Sequence, residues 1–207
     1  MSENREIRAF NFDVRAEQNE EHGHFLSGQP IVYNERTNMG WYDEIIDDGA
    51  LTDTDLKDVR FLVNHNTDMI PLARSRNNNA NSTMQLEVVE GSGLSIRVDL
   101  DTENNAEAKS LYSAVERKDL TGMSFMFTVD KDAWDDIDSD HPTRHIRSIR
   151  KVFEVSAVTF PAYEATSIQT RGLSDALESA KTSLESARAE LRAVERKKQK
   201  IRILSEV

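Results

Sequence analysis

The chain has 207 residues with a net charge of -11, 38% apolar side chains and no cysteine. That is length for one domain with an appendage and apolar content for an ordinary core, and it excludes disulfides, thiolate metal sites and a cysteine nucleophile. The longest apolar runs fall far short of the roughly 20 residues that span a bilayer. The polar start Met1-Ser2-Glu3-Asn4-Arg5-Glu6 lacks the apolar stretch of a signal peptide, so the expectation is a soluble, cytoplasmic protein.

In chain order, Ile31-Val32-Tyr33 and Val59-Arg60-Phe61-Leu62-Val63 read as strands, the second leading into Asn64-His65-Asn66. Asn77 to Ser82 is a polar loop. Met84 to Val89 and Leu94 to Leu100 alternate as strands, with Gly91-Ser92-Gly93 joining them as a hairpin. Ala106, Leu111, Ala114 and Val115 fall at helical spacing between Asn105 and Lys118, and Thr121-Gly122 separates that helix from a strand over Met123 to Val129. Asp130 to Arg144 reads as an acidic, mobile insertion, and Lys151 to Phe160 as the last strand.

The C-terminal segment predicts a helix. Leu177, Leu184 and Leu191 recur every seven residues, with Ala180, Ala187, Val194 and Ile201 in the matching second seam position and Lys198 interrupting the leucine series. Gly172 reads as a hinge and Ser174 with Asp175 as the helix cap, which divides the chain into a 1-172 body and a 173-207 arm. Six acidic and eight basic residues from Leu173 onward leave 31 acidic and 18 basic residues in the body. An acidic body argues against binding nucleic-acid phosphates. The arm is expected to pair with a partner or with itself, and a helix docked on its own domain is the alternative.

Three distant segments carry chemistry. Asn64-His65-Asn66, Gly122-Met123-Ser124-Phe125 and Phe153-Glu154-Val155-Ser156 supply a base, a hydroxyl and a carboxylate, the parts that make a serine nucleophilic. The order His, Ser, Glu differs from the chymotrypsin, subtilisin and α/β-hydrolase orders, and no Gly-x-Ser-x-Gly elbow is present. Ser124 alternates with Met123 and Phe125, so it projects to the opposite face. Glu154 sits in an apolar strand where a buried carboxylate needs a partner, either His65 or an ion pair with Arg147 or Arg150. Ser156 is the second candidate nucleophile. Arg74 is left outside the triad, His22 and His24 lack a third metal ligand, and His141 and His145 read as solvated.

The same residues carry a resemblance. Gly28 to Asn34, Tyr42 to Leu51, Val63-Asn64-His65-Asn66, Leu72-Ala73-Arg74, Gly93-Leu94, Gly122 to Phe127 and Phe153 to Tyr163 occur in the order of the tailed-phage prohead (capsid maturation) protease family, of the HK97 type, over roughly residues 7 to 171. The resemblance implies an α+β fold, a β-barrel flanked by helices related to herpesvirus assembly proteases, with the C-terminal coiled-coil-like helix appended. It implies a serine endopeptidase acting in the host cytoplasm inside the assembling prohead, on the scaffold segment of the major capsid protein and on itself. His65 aligns with the family base, Ser124 with the nucleophile and Glu154 with the acidic third member, where the herpesvirus relatives use a second histidine. No cofactor, nucleic acid or membrane is expected to take part. The rival expectations are a non-enzymatic assembly or scaffold protein and a hydrolase of small esters or amides.

Overall fold

The structure is a computed structural model that describes residues 5–10, 14–159 and 170–205. Two sheets and two helices build it, a mixed α+β architecture. The larger sheet places β1 (Glu6–Phe10), β10 (Gly122–Asp135), β11 (Thr143–Val158), β5 (Asp43–Ile46) and β4 (Thr37–Asn38) side by side. Farther along β11, β6 (Asp58–Val63) pairs with it in parallel and carries β7 (Ala73–Arg76) on its other edge. The second sheet has the order β2 (Arg15–Asn19), β3 (Gly23–Val32), β9 (Gly93–Asp99), β8 (Met84–Val89). Among the described residues no strand pairing closes either sheet into a ring, so the expected barrel is corrected to two open sheets.

The core lies where these sheets face each other. Leu26, Ile31, Leu94 and Val98 from the smaller sheet meet Phe61, Phe125, Phe127 and Val155 from the larger one, all essentially inaccessible. Helix α1 (Ala106–Glu116) covers the same core with Ala108, Leu111 and Val115. Asn105 caps it, its side chain accepting from the amides of Glu107 and Ala108, which satisfies two of the donors a helix start leaves free. Gly93 has φ +135°, and a Cβ there would stand 2.0 Å from the Ile31 carbonyl oxygen, so only glycine fits the β8–β9 hairpin against β3.

The acidic segment after Val129 is not a mobile insertion. It is the continuation of β10 and the start of β11, paired through Trp134 with Arg144 and Asp135 with Thr143. The acids within the paired part have partners: Asp130 bonds Arg150 at 2.9 Å and Asp132 bonds Arg144 at 2.7 Å. Partnered acids on a twisted hairpin carry no apolar alternation, which hides such a strand from a pattern search.

Helix α2 (Thr170–Ser205) corrects the expected arm in two ways. Gly172 and Ser174 lie inside it, so neither hinge nor cap falls there. Its first half is docked: Ala180 and Leu184 are buried against Tyr42 and Trp134, and Ala176 is fully covered. Ser183 ties this contact down, accepting from the Trp134 indole at 2.9 Å and donating to Asp132 at 2.8 Å. The later seam residues Leu191, Val194 and Ile201 are exposed by 39%, 47% and 67%. Among the described residues no helix is long and apolar enough to cross a membrane.

Candidate active site

The site is built where β6 ends. Asn64 and His65 take left-handed backbone conformations, φ 52° and 56°, and two successive residues without glycine's freedom cost about 1–3 kcal/mol each unless the surroundings hold them. The surroundings do so through β11 and the residue after it. Asn64 donates its amide to the Ala157 carbonyl at 2.9 Å, and its side chain exchanges hydrogen bonds with Thr159, accepting from the amide at 2.9 Å and donating to Oγ1 at 3.1 Å. The His65 amide donates to Ser156 Oγ at 3.1 Å. This clamp turns the imidazole back over the sheet face that carries Glu154 and Ser156.

The His65 Nδ1 lies 2.5 Å from Glu154 Oε1, and Ser156 Oγ donates to Glu154 Oε2 at 2.5 Å. Both carboxylate oxygens are thus engaged, which is what a carboxylate 3% exposed needs. With Nδ1 carrying the proton toward Glu154, Nε2 is left as an acceptor. That Nε2 is buried and has no hydrogen-bond partner among the described residues.

Ser124 joins them by register. It stands directly across the β10–β11 ladder from Ser156, and Met126 stands across from Glu154. Directly opposed residues share a face about 5 Å apart, so Ser124, Ser156 and Glu154 share one surface of the sheet while Met123 and Phe125 enter the core. The Ser124 hydroxyl is fully buried and donates to the Arg8 carbonyl of neighbouring β1 at 2.7 Å rather than to His65. The structure therefore brings His65 and Glu154 into contact and sets Ser124 on their face with its proton directed elsewhere.

The other sequence candidates resolve into structural roles. Ser156 has its proton on Glu154 and its oxygen under the His65 amide, so its hydroxyl braces the pair. Arg147 and Arg150, the alternative partners for Glu154, pair with Asp47 and Asp130. Arg74 holds Asp58 with two bonds of 2.7 and 2.9 Å. His24 shares a 2.8 Å hydrogen bond with Thr102 and packs its ring on Tyr112. His141 is exposed, as expected, and contacts Asp43 at 2.9 Å, whereas the expectation that His145 is solvated is corrected: it is half-buried and contacts Asp47 at 2.7 Å. No group of histidines and acids among the described residues could hold a metal ion.

Two contributors were not singled out for these roles from sequence. The Arg8 carbonyl leaves no sequence signal, since any residue supplies a carbonyl. The bracing role of Ser156 has one: a serine two residues beyond a buried strand carboxylate must face the same side. The final part of the last motif, Phe160 to Tyr163, lies outside the described residues.

Comparison with known proteins identifies the family. Residues 10–180 match the family model described as caudovirus prohead serine protease. No curated protein and no solved structure matches the chain.

Proposed function

The chain belongs to the caudovirus prohead serine protease family, and from that premise we propose that it is the capsid maturation endopeptidase in which Ser124 is the nucleophile, His65 its base and Glu154 the group that orients His65. The contact between His65 Nδ1 and Glu154, leaving Nε2 buried and unpartnered on the face that carries Ser124, supports this most directly. In the reaction the Ser124 hydroxyl turns from the Arg8 carbonyl to Nε2, which takes its proton as Oγ attacks the scissile carbonyl. Glu154 stabilises the imidazolium that forms, the imidazolium protonates the leaving amine, and water then hydrolyses the acyl-enzyme by the same route.

Its substrates on this proposal are the scaffold segment of the major capsid protein and the chain itself, cut inside the prohead in the host cytoplasm. The proposal includes a fold relation to herpesvirus assembly proteases, supported by the core of strands flanked by two helices. It also narrows the partner-binding arm to the distal half of α2. Between Leu191 and Arg202 six basic residues face one acid, and the exposed seam of Leu191, Val194 and Ile201 suits a coiled-coil partner, either a scaffold helix or a second copy. Truncation after Glu190 should leave cleavage of a short peptide unchanged and lose incorporation into particles. Truncation from Leu173 should instead destabilise the body by uncovering Tyr42 and Trp134, and a thermal melt separates the two.

The deciding experiment co-expresses the chain, or its Ser124→Ala form, with the capsid precursor and follows intact masses. Fragments from the wild type alone are expected; identical fragments from both would remove Ser124 from the mechanism. A non-enzymatic assembly protein is the second reading, favoured by the Ser124 proton lying on Arg8 rather than on His65. No fragments from either form would select it.

Ser156→Ala should lower kcat by about 10- to 100-fold with KM unchanged, the scale of one hydrogen bond to a charged group. The measurement is steady-state peptide cleavage, and an unchanged kcat would make the Ser156–Glu154 bond merely structural.

A further inference from the structure

A groove of about 570 Å³ runs beside the turn that carries His65. One wall is the chain around that turn, through Val63, Asn64, Asn66 and Met69. The other is the outer face of α1, where Ala106, Ser110 and Ala114 follow one another at four-residue steps and keep the space open because none reaches far from the helix. Leu120 closes one end, four residues before Ser124. The groove therefore bridges the end of the strand that delivers the base and the entry to the strand that delivers the nucleophile.

Its chemistry is selective. Val63, Met69, Leu111, Ala114 and Leu120 line it with apolar surface, and Glu107 is the single charged residue among those that line it. The next residue along the loop after Met69 is Ile70, 82% exposed, a large apolar side chain that nothing in the fold covers. An open apolar channel of this kind contributes binding by removing apolar surface from water, and an acidic side chain entering it would meet both desolvation and Glu107.

The geometry points to this groove as the site that anchors the polypeptide substrate, taking an apolar side chain at one fixed position beside the scissile bond and excluding Asp and Glu there. This rests on the endopeptidase reading above and adds the substrate class to it. The occupant is an extended peptide because the scissile carbonyl must lie between Ser124 and His65 while the chain continues past the His65 turn. A small ester would leave the groove empty.

The test uses the full chain and two variants, Ala114→Trp at the half-buried middle of the groove and Ala106→Trp at its exposed end. Each is given a proteome-derived peptide library, with cut sites read by mass spectrometry, and separately a small fluorophosphonate that labels Ser124 without entering the groove. The wild type should show an apolar preference at one position with acids depleted. Both variants should lose about tenfold or more in kcat/KM for peptides with a large apolar anchor, the discrimination available to an apolar pocket, while labelling keeps its wild-type rate. An unchanged cleavage profile in both variants overturns the groove. Should Ala114→Trp lose labelling as well, Ala106→Trp decides, since its side chain lies outside the core. A wild type that neither cuts nor takes the label removes the endopeptidase reading, and this inference with it.

Discussion

Glu154→Gln should lower kcat by about 10⁴-fold, the cost of a misoriented or wrong imidazole tautomer in Ser-His-Asp enzymes, while the protein stays folded. The argument is a count of donors. Glu154 accepts from His65 Nδ1 on one oxygen and from the Ser156 hydroxyl on the other, so the site presents two donors to one carboxylate. Glutamine at the same volume offers one acceptor and one donor. If its amide nitrogen faces His65, Nδ1 must accept and the proton moves to Nε2, which can then take no proton from Ser124. If the nitrogen faces Ser156, the tautomer survives, but the negative charge that stabilises the imidazolium is gone. Both outcomes leave the peptide-binding surface intact, so KM should hold. Stopped and steady-state peptide kinetics give kcat, and proton NMR gives the low-field Nδ1–H resonance, which should be present in the wild type and, in the variant, lost if the tautomer changes or shifted upfield if it survives without the carboxylate charge. A kcat within tenfold of wild type would take Glu154 out of the mechanism.

Much of this architecture is legible in the sequence where apolar alternation meets a single core. The strand expected over Met84 to Val89 has those bounds, and the helix expected between Asn105 and Lys118 is Ala106–Glu116. His65 contacts Glu154, and Ser124 lies on the same sheet face as Glu154 because alternation fixes which face the two strand residues share. What is not legible depends on partners far away in the chain. Strand β1, Glu-Ile-Arg-Ala-Phe, turns charges inward, and only Glu44 and Arg144 make that tolerable. The heptads of α2 look alike whether the seam meets another helix or its own domain; Tyr42, just before β5, and Trp134, on β10, decide it for the first half. The left-handed turn at Asn64 and His65 uses residue types that tolerate that backbone, but it is Ser156, Ala157 and Thr159 across the sheet that hold it.

Replacement of Arg8 should destabilise the fold by about 3–5 kcal/mol, the usual cost of leaving buried charge without its partner. Arg8, Arg144, Glu6 and Glu44 are all 2% exposed or less. Arg8 Nη2 donates to Glu6 at 2.7 Å and to Glu44 at 2.6 Å, and its Nε also bonds Glu44. Arg144 reaches Glu6 at 2.9 Å and Asp132 at 2.7 Å, and Ser179 of α2 donates to Glu6 at 2.8 Å. Arg8→Met keeps the volume of the side chain yet leaves two buried carboxylates sharing Arg144. At about 2–4 °C per kcal/mol for a chain of this size, the melting temperature should fall by roughly 10 °C.

The pH dependence identifies the cause. Burial pushes the Glu6 carboxyl up, but the guanidiniums of Arg8 and Arg144 outweigh it and hold the group below its ordinary 4.5. A folded value below the unfolded one means that Glu6 contributes stability above about pH 4.5 and loses it as the pH falls through the folded value. Arg8 and Arg144 stay charged throughout, since their own values are raised by the same carboxylates against the opposing effect of burial. The gap between wild type and Arg8→Met, measured by urea unfolding, should therefore be largest near neutral pH and shrink in acid as Glu6 becomes neutral in both. A gap that stays constant down to pH 3 would assign the loss to packing rather than charge. The same strand links stability to the site: Ser124 donates to the Arg8 carbonyl, so any loosening of β1 in the variant frees the Ser124 hydroxyl before the sheet itself unfolds. Fluorophosphonate labelling of Ser124 in Arg8→Met should then run faster than in the wild type at temperatures below the melt, and an equal rate would separate the charge cluster from Ser124.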